Sequence, residues 1–337
     1  MLISIIIPIF NNSQVLHRTL TSVLNQGLSQ NNYEIILVND GSTDNSLEIC
    51  KECANKNPSI KVISQPNQGV ASARNYGIKA AQGDFIYFMD ADDYLMPYSL
   101  KYIYDHNYIK DIDILIFSSI SIPNFDDNHY PCDSIDGDID YEIYGEDFIR
   151  QGLINCFVWN QIIRSSFIRE HHLSFEPISI SEDVLFNIEA YNLNPKIRRI
   201  TSKLYRYISY THCEQLTKRR TPKDTRKQVK AYLTVFDKLT IIIRKKESLN
   251  KALQYFAHKQ FIPFTSRLLS SNMSRKELKE IRKKLSKSAL FQRPSSKDNI
   301  QYRFAYYIVH DNISFPLLRF IYKKIFIPYI LPHINRN

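Results

Sequence analysis

Three carboxylates follow directly on a short apolar run in the sequence. Residues 85–89 are short enough for one buried strand, and Asp90, Asp92 and Asp93 come immediately after them. Open α/β sheets bind ligands at the carboxyl ends of their strands. Asp90 and Asp92 can face one hard cation, because Mg²⁺ or Mn²⁺ takes one or two protein carboxylates and completes its shell with water and phosphate oxygens. The stretch therefore predicts a metal-diphosphate site, with a solvated helix-capping turn as the alternative.

More polar residues follow a second predicted strand. Asn39 and Asp40 come after the apolar run of residues 33–38, where they are positioned to bind a base or a ribose. Residues 69–75 combine a glycine, a helix start and Arg74, which together can hold a diphosphate. The sequence has neither G-x-G-x-x-G after its first strand nor G-x-x-x-x-G-K-[ST], which argues against dinucleotide enzymes and P-loop NTPases. A bound diphosphate would therefore need the metal.

Strand and helix signals alternate through the first part of the chain. Apolar runs at residues 2–9, 33–38, 60–63 and 85–89 predict buried strands with helices between them. This order predicts an α/β fold whose mixed, mostly parallel sheet is flanked by helices.

The middle of the chain predicts two helices and a possible sugar platform. Residues 144–153 and 157–171 have helical patterns, and a strand is expected at residues 204–207. Trp159 is either a sugar platform or a core aromatic residue.

Charge divides the sequence in two. Residues 216–337 hold 28 Lys and Arg against 7 Asp and Glu, a net +21, whereas residues 1–215 carry a net −11, consistent with +10 for all 337 residues. We therefore expect a catalytic domain at 1–215 and a basic helical region at 216–337, for which nucleic acid and an anionic membrane are the two obvious partners. Five scattered cysteines form no disulfide framework and suggest a reducing compartment.

The carboxyl end mixes bulky apolar, aromatic and cationic residues. Charges at Arg319, Lys323 and Lys324 make residues 315–331 a poor transmembrane span. The pattern is typical of an amphipathic helix that lies on an anionic membrane surface. The alternative is an ordinary helix that packs on the catalytic domain.

Four ordered motifs resemble those of glycosyltransferase family 2. They are SIIIPIFN at 4–11, VNDGSTD at 38–44, NQG with ARNYG within 67–77, and DADD at 90–93. The resemblance is close over residues 1–120 and weaker to about residue 212. It implies the GT-A fold, an inverting reaction, a nucleotide-sugar donor and a divalent metal, Mn²⁺ or Mg²⁺. Residues 1–120 would then form the nucleotide-sugar half and residues 121–215 the acceptor half of the domain.

The resemblance also implies roles on the donor side. Pro8 and Phe10 would border the base pocket, and Asp40 would contact the base, which is usually uracil. Asn39 stands where the family often has a second Asp. The whole set implied at the donor is Pro8, Phe10, Asn39, Asp40, Arg74, Asp90, Asp92 and His212.

The phosphates and the metal involve the last four of these residues. Arg74 would lie near the nucleotide, and Asp90 would contact the ribose or a metal-bound water. Asp92 would be the direct metal ligand, with Asp90 beside it. His212 would close over the donor, as a His or a basic loop does in many relatives, although a lone His is more often structural.

A second acidic pair matches the acceptor side of the family. Glu182 and Asp183 follow Ser181, a pattern that by itself is typical of a helix start. The pair also resembles the family's Glu-Asp-x-x-Phe element, in which the Asp is the general base. By that resemblance we predict Glu182 and Asp183 as catalytic residues, with Asp183 taking the acceptor's hydroxyl proton.

The combined expectation is an inverting, metal-dependent hexosyltransferase. It would move a hexose or N-acetylhexosamine from a UDP-sugar to a hydroxyl of a surface, capsular or lipid-linked saccharide. We expect a cytoplasmic protein, peripheral at the cytoplasmic face of the inner membrane through its carboxyl-terminal region, and no nucleic-acid partner. The alternatives are a nucleotidyltransferase acting on a sugar phosphate and a noncatalytic module that binds nucleic acid through its basic tail.

Overall fold

The computed structural model describes residues 2–123, 139–209, 221–291, 293–295 and 300–310. The chain divides into two compact units. The first comprises Met1–Asp147, Asn155–Pro177 and Glu182–Thr211, and the second comprises Phe148–Ile154, Ile178–Ser181 and His212–Asn337. The domain limits at residues 120 and 215 that we inferred from motifs and charge stay predictions.

The chain up to residue 209 alternates strands and helices. Its strands are β1 (Ile3–Ile9), β2 (Tyr33–Asp40), β3 (Ile60–Gln65), β4 (Phe85–Phe88), β5 (Tyr94–Leu95), β6 (Ile114–Pro123), β7 (Tyr141–Tyr144), β8 (Gln161–Arg164) and β9 (Lys196–Ser209). Its helices are α1 (Leu16–Leu24), α2 (Ser46–Lys56), α3 (Val70–Ala80), α4 (Ser99–Asp105), α5 (Gly145–Arg150), α6 (Ser165–Glu170) and α7 (Glu182–Asn192).

The described strands form one nine-stranded mixed sheet. Its order is β3-β2-β1-β4-β8-β6-β9-β5, and β7 pairs with the first residues of β9. Strands β1 to β4 are parallel, as are β6 and β9, whereas β8, β5 and β7 are antiparallel to their neighbours. The chain adds β2 and β3 on one side of β1 and then returns to β4 on the other. Sheets of this kind bind ligands at the crevice where the order reverses.

The parallel strands are apolar because helices cover both faces of such a sheet. In β1, for example, Ile3, Ile5, Ile6 and Ile7 are completely buried. Helix α3 packs closely on this strand. A Cβ atom at Gly77 would lie 2.3 Å from Cγ2 of Ile6, so only glycine permits the approach.

The helix predicted for residues 157–171 is wrong in its first half. Gln161–Arg164 forms β8, which pairs with β4 and β6, and a helix begins only at Ser165. Ile162 and Ile163 are fully buried in this central position. Strand pairing across the sheet therefore overrides the local helical pattern.

The second unit is helical, as predicted. Its main helices are α8 (Pro222–Lys245), α9 (Asn250–Ser270), α10 (Arg275–Ser286) and α11 (Ile300–His310). Ser274 and Glu277 form a reciprocal capping box at the start of α10. The helices enclose an aromatic core that includes Phe261, Phe264 and Tyr302. Among the helices of the described residues, none has both the length and the apolar character needed to cross a bilayer.

Candidate active site

The crevice of the sheet brings together residues from distant parts of the sequence. Phe10 follows β1, Asp40 ends β2, and Asp90 lies just beyond β4. Because these strands are parallel neighbours, their carboxyl ends meet at one edge of the sheet. Glu182 and Asp183 occupy the first turn of α7 in the same unit.

Arg74 on α3 links the two acidic motifs. Its Nη2 donates to Oδ1 of Asp90 at 3.0 Å and its Nη1 donates to Oε1 of Glu182 at 2.7 Å. The Arg74 side chain is only 5% exposed, and its guanidinium lies 5.2 Å from the ring centre of Phe175. Burial lowers the pKa of Arg74, but the charges of Asp90, Glu182 and Asp183 raise it by a larger amount, so the guanidinium stays charged. The Asp-x-Asp loop and the start of α7 are therefore one site.

Side chains of α1 bind the main chain of the loop at residues 90–93. Arg18 donates from Nη2 to the carbonyl oxygen of Asp92 at 2.6 Å. The buried hydroxyl of Thr19 lies 2.8 Å from the carbonyl oxygens of both Ala91 and Asp93. These contacts bind main-chain atoms, so they fix the course of the loop independently of what its carboxylates bind.

The third carboxylate of the motif, Asp93, faces the protein interior. Its Oδ2 accepts from the Tyr205 hydroxyl at 2.7 Å, and its Oδ1 accepts from the Ile208 amide at 2.7 Å. Burial, followed by the charges of Asp92 and Asp90, raises the pKa of Asp93 well above its ordinary value. Asp93 therefore ties the loop to β9, and Asp90 and Asp92 are left as the candidates for ligand contact.

Asp40 organises the loop that precedes α3. Its Oδ1 accepts from the Gln65 side chain at 2.7 Å and the Gln68 amide at 2.8 Å, and its Oδ2 accepts from the Gly69 amide at 2.8 Å. The side chain is buried. Both of its oxygens thus have protein donors, and the predicted contact of Asp40 with a base stays a prediction.

Asp183 lies in an environment that disfavours its charge. Burial comes first and the neighbouring Glu182 second among the causes that raise the pKa of Asp183, and Arg74 opposes them. Its Oδ1 also accepts from the amide of Val184 at 2.8 Å. A carboxyl with a raised pKa is suited to accept and release a proton near neutral pH.

Asp90 and Asp92 suit a divalent cation. Burial, followed by the charge of Asp90, raises the pKa of Asp92 to about 6, so a positive charge beside the pair would be stabilised. The Asp90 side chain is 31% exposed, and one of its oxygens contacts Arg74. In the described ranges no group of three or more His, Cys, Asp or Glu side chains could hold a metal. Mg²⁺ and Mn²⁺ need only one or two protein carboxylates when a substrate supplies further oxygens.

The remaining predicted residues are placed as follows. Pro8 is partly buried in β1, and the Phe10 side chain is 42% exposed. Asn39 is buried, and its Oδ1 accepts from the Ser42 amide at 3.2 Å. His212 lies outside the described residues. Trp159 is only 5% exposed, so it is the core aromatic residue of the two possibilities.

Sequence reasoning missed several residues that support the site. Thr19, a polar residue buried among Leu16, Leu20 and Val23 on α1, was the available signal for a hydrogen bond to a neighbouring loop. Nothing in the local sequence indicated the partners of Arg74 and Asp93, because Glu182 and Tyr205 lie more than a hundred residues further along the chain.

Comparison with known proteins identifies relatives of this chain. Residues 4–171 match the family model described as Glycosyl transferase family 2. EpsH of Bacillus subtilis (strain 168) is 32% identical over 212 residues, which are 61% of this chain and 60% of EpsH. A cholesterol galactosyltransferase of Borreliella burgdorferi is 27% identical over 214 residues, which are 60% of this chain and 59% of that protein. The chain thus spans about 60% of the length of these relatives.

A solved structure has the same fold. The crystal structure of S. aureus TarS 1-349 in complex with UDP-GlcNAc aligns with a TM-score of 0.65 and 18% sequence identity. The alignment covers 94% of this chain and 92% of that one. The likeness confirms the GT-A fold predicted from the four motifs.

Proposed function

This chain belongs to glycosyl transferase family 2, and from that premise we propose that it transfers a sugar from a UDP-sugar to a saccharide hydroxyl with inversion. The observation that carries the proposal is the bridge from Asp90 through Arg74 to Glu182, because it joins the Asp-x-Asp loop to the residue next to the candidate base Asp183. UDP-GlcNAc bound to TarS supports a UDP-hexose or UDP-N-acetylhexosamine donor. Family membership favours this reaction over nucleotidyl transfer and over a noncatalytic nucleic-acid module.

In the proposed reaction, Asp183 takes the proton of the acceptor hydroxyl. The acceptor oxygen forms a bond to the anomeric carbon of the donor sugar as the bond from that carbon to the diphosphate oxygen breaks, and the bonding electron pair leaves with the UDP. Arg74 keeps Glu182 and Asp90 in place. Attack opposite the leaving group inverts the anomeric configuration.

Asp92 and Asp90 would hold the metal. A divalent cation bound there supplies Lewis-acid stabilisation of the charge that develops on the leaving diphosphate. Mn²⁺ and Mg²⁺ both fit a site with one or two carboxylates.

Nucleotide binding tests the donor site. Titration calorimetry compares UDP, GDP, CDP, ADP and dTDP, each with and without Mn²⁺. We expect UDP to bind the wild type, and to bind it more tightly with Mn²⁺ than without it. Asp92→Asn should raise the Kd for UDP with Mn²⁺ by about tenfold or more, since it removes a metal ligand. Asp105→Asn, which removes an exposed carboxylate on α4, should leave that Kd unchanged. Failure of every nucleotide to bind folded wild type would contradict the proposed function.

We further propose that the acceptor is a growing surface, capsular or lipid-linked saccharide, and that the second unit holds the enzyme at the cytoplasmic face of the membrane. The exposed face of α10 supports membrane contact through residues Arg275, Lys276, Lys279 and Lys283. The amphipathic stretch at 315–331 lies outside the described residues. An anionic surface attracts such basic groups.

Vesicle binding tests the membrane proposal. Wild type should sediment with vesicles rich in phosphatidylglycerol, and a chain lacking residues 313–337 should sediment less. Added salt should weaken the interaction because it screens charges. Equal partitioning of both chains would contradict a role for the carboxyl end.

A further inference from the structure

Phe157 is the exposed end of a stack of aromatic rings. Its ring lies 4.8 Å from that of Trp159 at an interplanar angle of 25°, and Trp159 lies 4.5 Å from Tyr205 at 11°. Phe157 is 45% exposed, whereas Trp159 and Tyr205 are buried. One face of Phe157 is therefore fixed by packing while much of the ring remains open to solvent.

The inner end of this stack contacts the Asp-x-Asp loop. The Tyr205 hydroxyl donates to Asp93 at 2.7 Å and accepts from the amide of Asp90 at 3.4 Å. The stack thus extends from the loop proposed to bind the donor's diphosphate out to Phe157.

The helix that carries the candidate base also holds Phe157. Nδ2 of Asn187 donates to the carbonyl oxygens of Phe157 at 2.8 Å and Asn155 at 3.0 Å. Asn187 is four residues beyond Asp183 on α7, so the two share a helix face about 6 Å apart along the axis. Phe157 is therefore connected to the Asp-x-Asp loop through the aromatic stack and to the helix of Asp183 through Asn187.

Asn187 is itself fixed by a buried polar network. Nε2 of Gln161 donates to Oδ1 of Asn187 at 2.6 Å, and the Tyr191 hydroxyl donates to Oε1 of Gln161 at 2.9 Å. All three side chains are completely buried. Fully satisfied networks of this kind rigidify their surroundings, so the position of Phe157 is determined before any ligand binds.

We propose that the exposed face of Phe157 binds a pyranose ring of the acceptor, an inference that rests on the proposed function. The C–H groups on one face of a pyranose carry partial positive charge and pack on the negative face of an aromatic ring. A single exposed apolar side chain needs no explanation. Phe157 differs because it is anchored to the Asp-x-Asp loop on one side and to the Asp183 helix on the other.

Saturation-transfer NMR tests this platform without knowledge of the natural acceptor. The probes are methyl β-D-galactopyranoside and methyl β-N-acetylglucosaminide, each added to the full chain with UDP and Mn²⁺. Transfer to the ring C–H protons of at least one glycoside is expected for the wild type. Phe157→Ala should reduce it by about fivefold, the size of one lost aromatic contact, and Phe157→Tyr should retain it.

Two controls separate this inference from the proposed function. Tyr144→Ala removes another exposed aromatic ring of the same unit and should leave the transfer unchanged. Tyr144 pairs with Lys196, which begins β9, whereas Tyr205 lies toward the other end of that strand. UDP affinity should be the same in wild type and Phe157→Ala. Wild type that binds UDP but shows no transfer to either glycoside, or equal transfer after Phe157→Ala, would overturn the platform alone. Wild type that binds no UDP would instead overturn the proposed function.

Discussion

Replacing Asp183 by Asn is expected to lower the kcat of sugar transfer by roughly 10²- to 10⁴-fold, the usual contribution of a general base. The amide has nearly the same shape but cannot accept the acceptor's proton. The free energy of unfolding should not fall, because burial already disfavours the charged form of Asp183. Steady-state kinetics with a UDP-sugar and urea unfolding measure the two quantities.

The pH profile distinguishes a base from a merely structural acid. The pKa of Asp183 is raised in the folded protein, so the carboxyl is protonated in acid and becomes a proton acceptor as the pH rises through the raised pKa. We expect the kcat/KM of the wild type to rise with pH through this range. The rising limb of the profile should be absent from Asp183→Asn. Asp147→Asn, which removes an acid from the first turn of α5, should keep both the rate and the limb. Turnover by folded Asp183→Asn within a few-fold of wild type would assign the base to another residue.

Replacing Arg74 by Met should lower the free energy of unfolding by about 3–5 kcal/mol, the cost of removing one partner from a buried ion pair. The change leaves Glu182 without its cation, and the Glu182 side chain is only 10% exposed. Transfer activity should fall as well, because the two hydrogen bonds by which Arg74 joins the Asp90 loop to the start of α7 are then lost. Urea unfolding and kinetics at a fixed UDP-sugar concentration measure both effects.

An exposed ion pair provides the control for Arg74. Lys101→Met breaks the pair of Lys101 with Asp105, whose side chains are 46% and 48% exposed. Such a pair contributes at most about 1 kcal/mol. Adding Glu182→Gln to Arg74→Met should restore part of the lost stability, since it removes the uncompensated charge. A loss for Arg74→Met no larger than that for Lys101→Met would show that the bridge does not stabilise the fold.

The residues of the proposed donor side could be predicted because the sequence signals for them are local. Each of β1, β2 and β4 is a mostly apolar run that leads within two positions to its polar residues, so the strand and its candidate site residues were recognised together. Parallel strands in that order leave few choices for the edge of the sheet at which Asp40 and Asp90 meet.

The surroundings of the proposed acceptor side could not be predicted in the same way. Gln161–Arg164 is a strand only because β4 and β6 offer it a position between them. The role of Gln161 became clear only with its buried partners Asn187 and Tyr191. A buried ammonium at that place would lack a counterion among these neutral groups, which explains why the neutral amide fits.

The aromatic stack has a spectroscopic consequence. Trp159 is the only tryptophan in the sequence, so all indole emission of the unlabelled protein comes from this one position. Its ring lies between Phe157 at the surface and Tyr205, whose hydroxyl contacts the Asp-x-Asp loop. The fold thus contains a native fluorophore between the exposed ring of Phe157 and the Asp-x-Asp loop. Its emission can be followed in titrations with a nucleotide or a glycoside without attaching a dye.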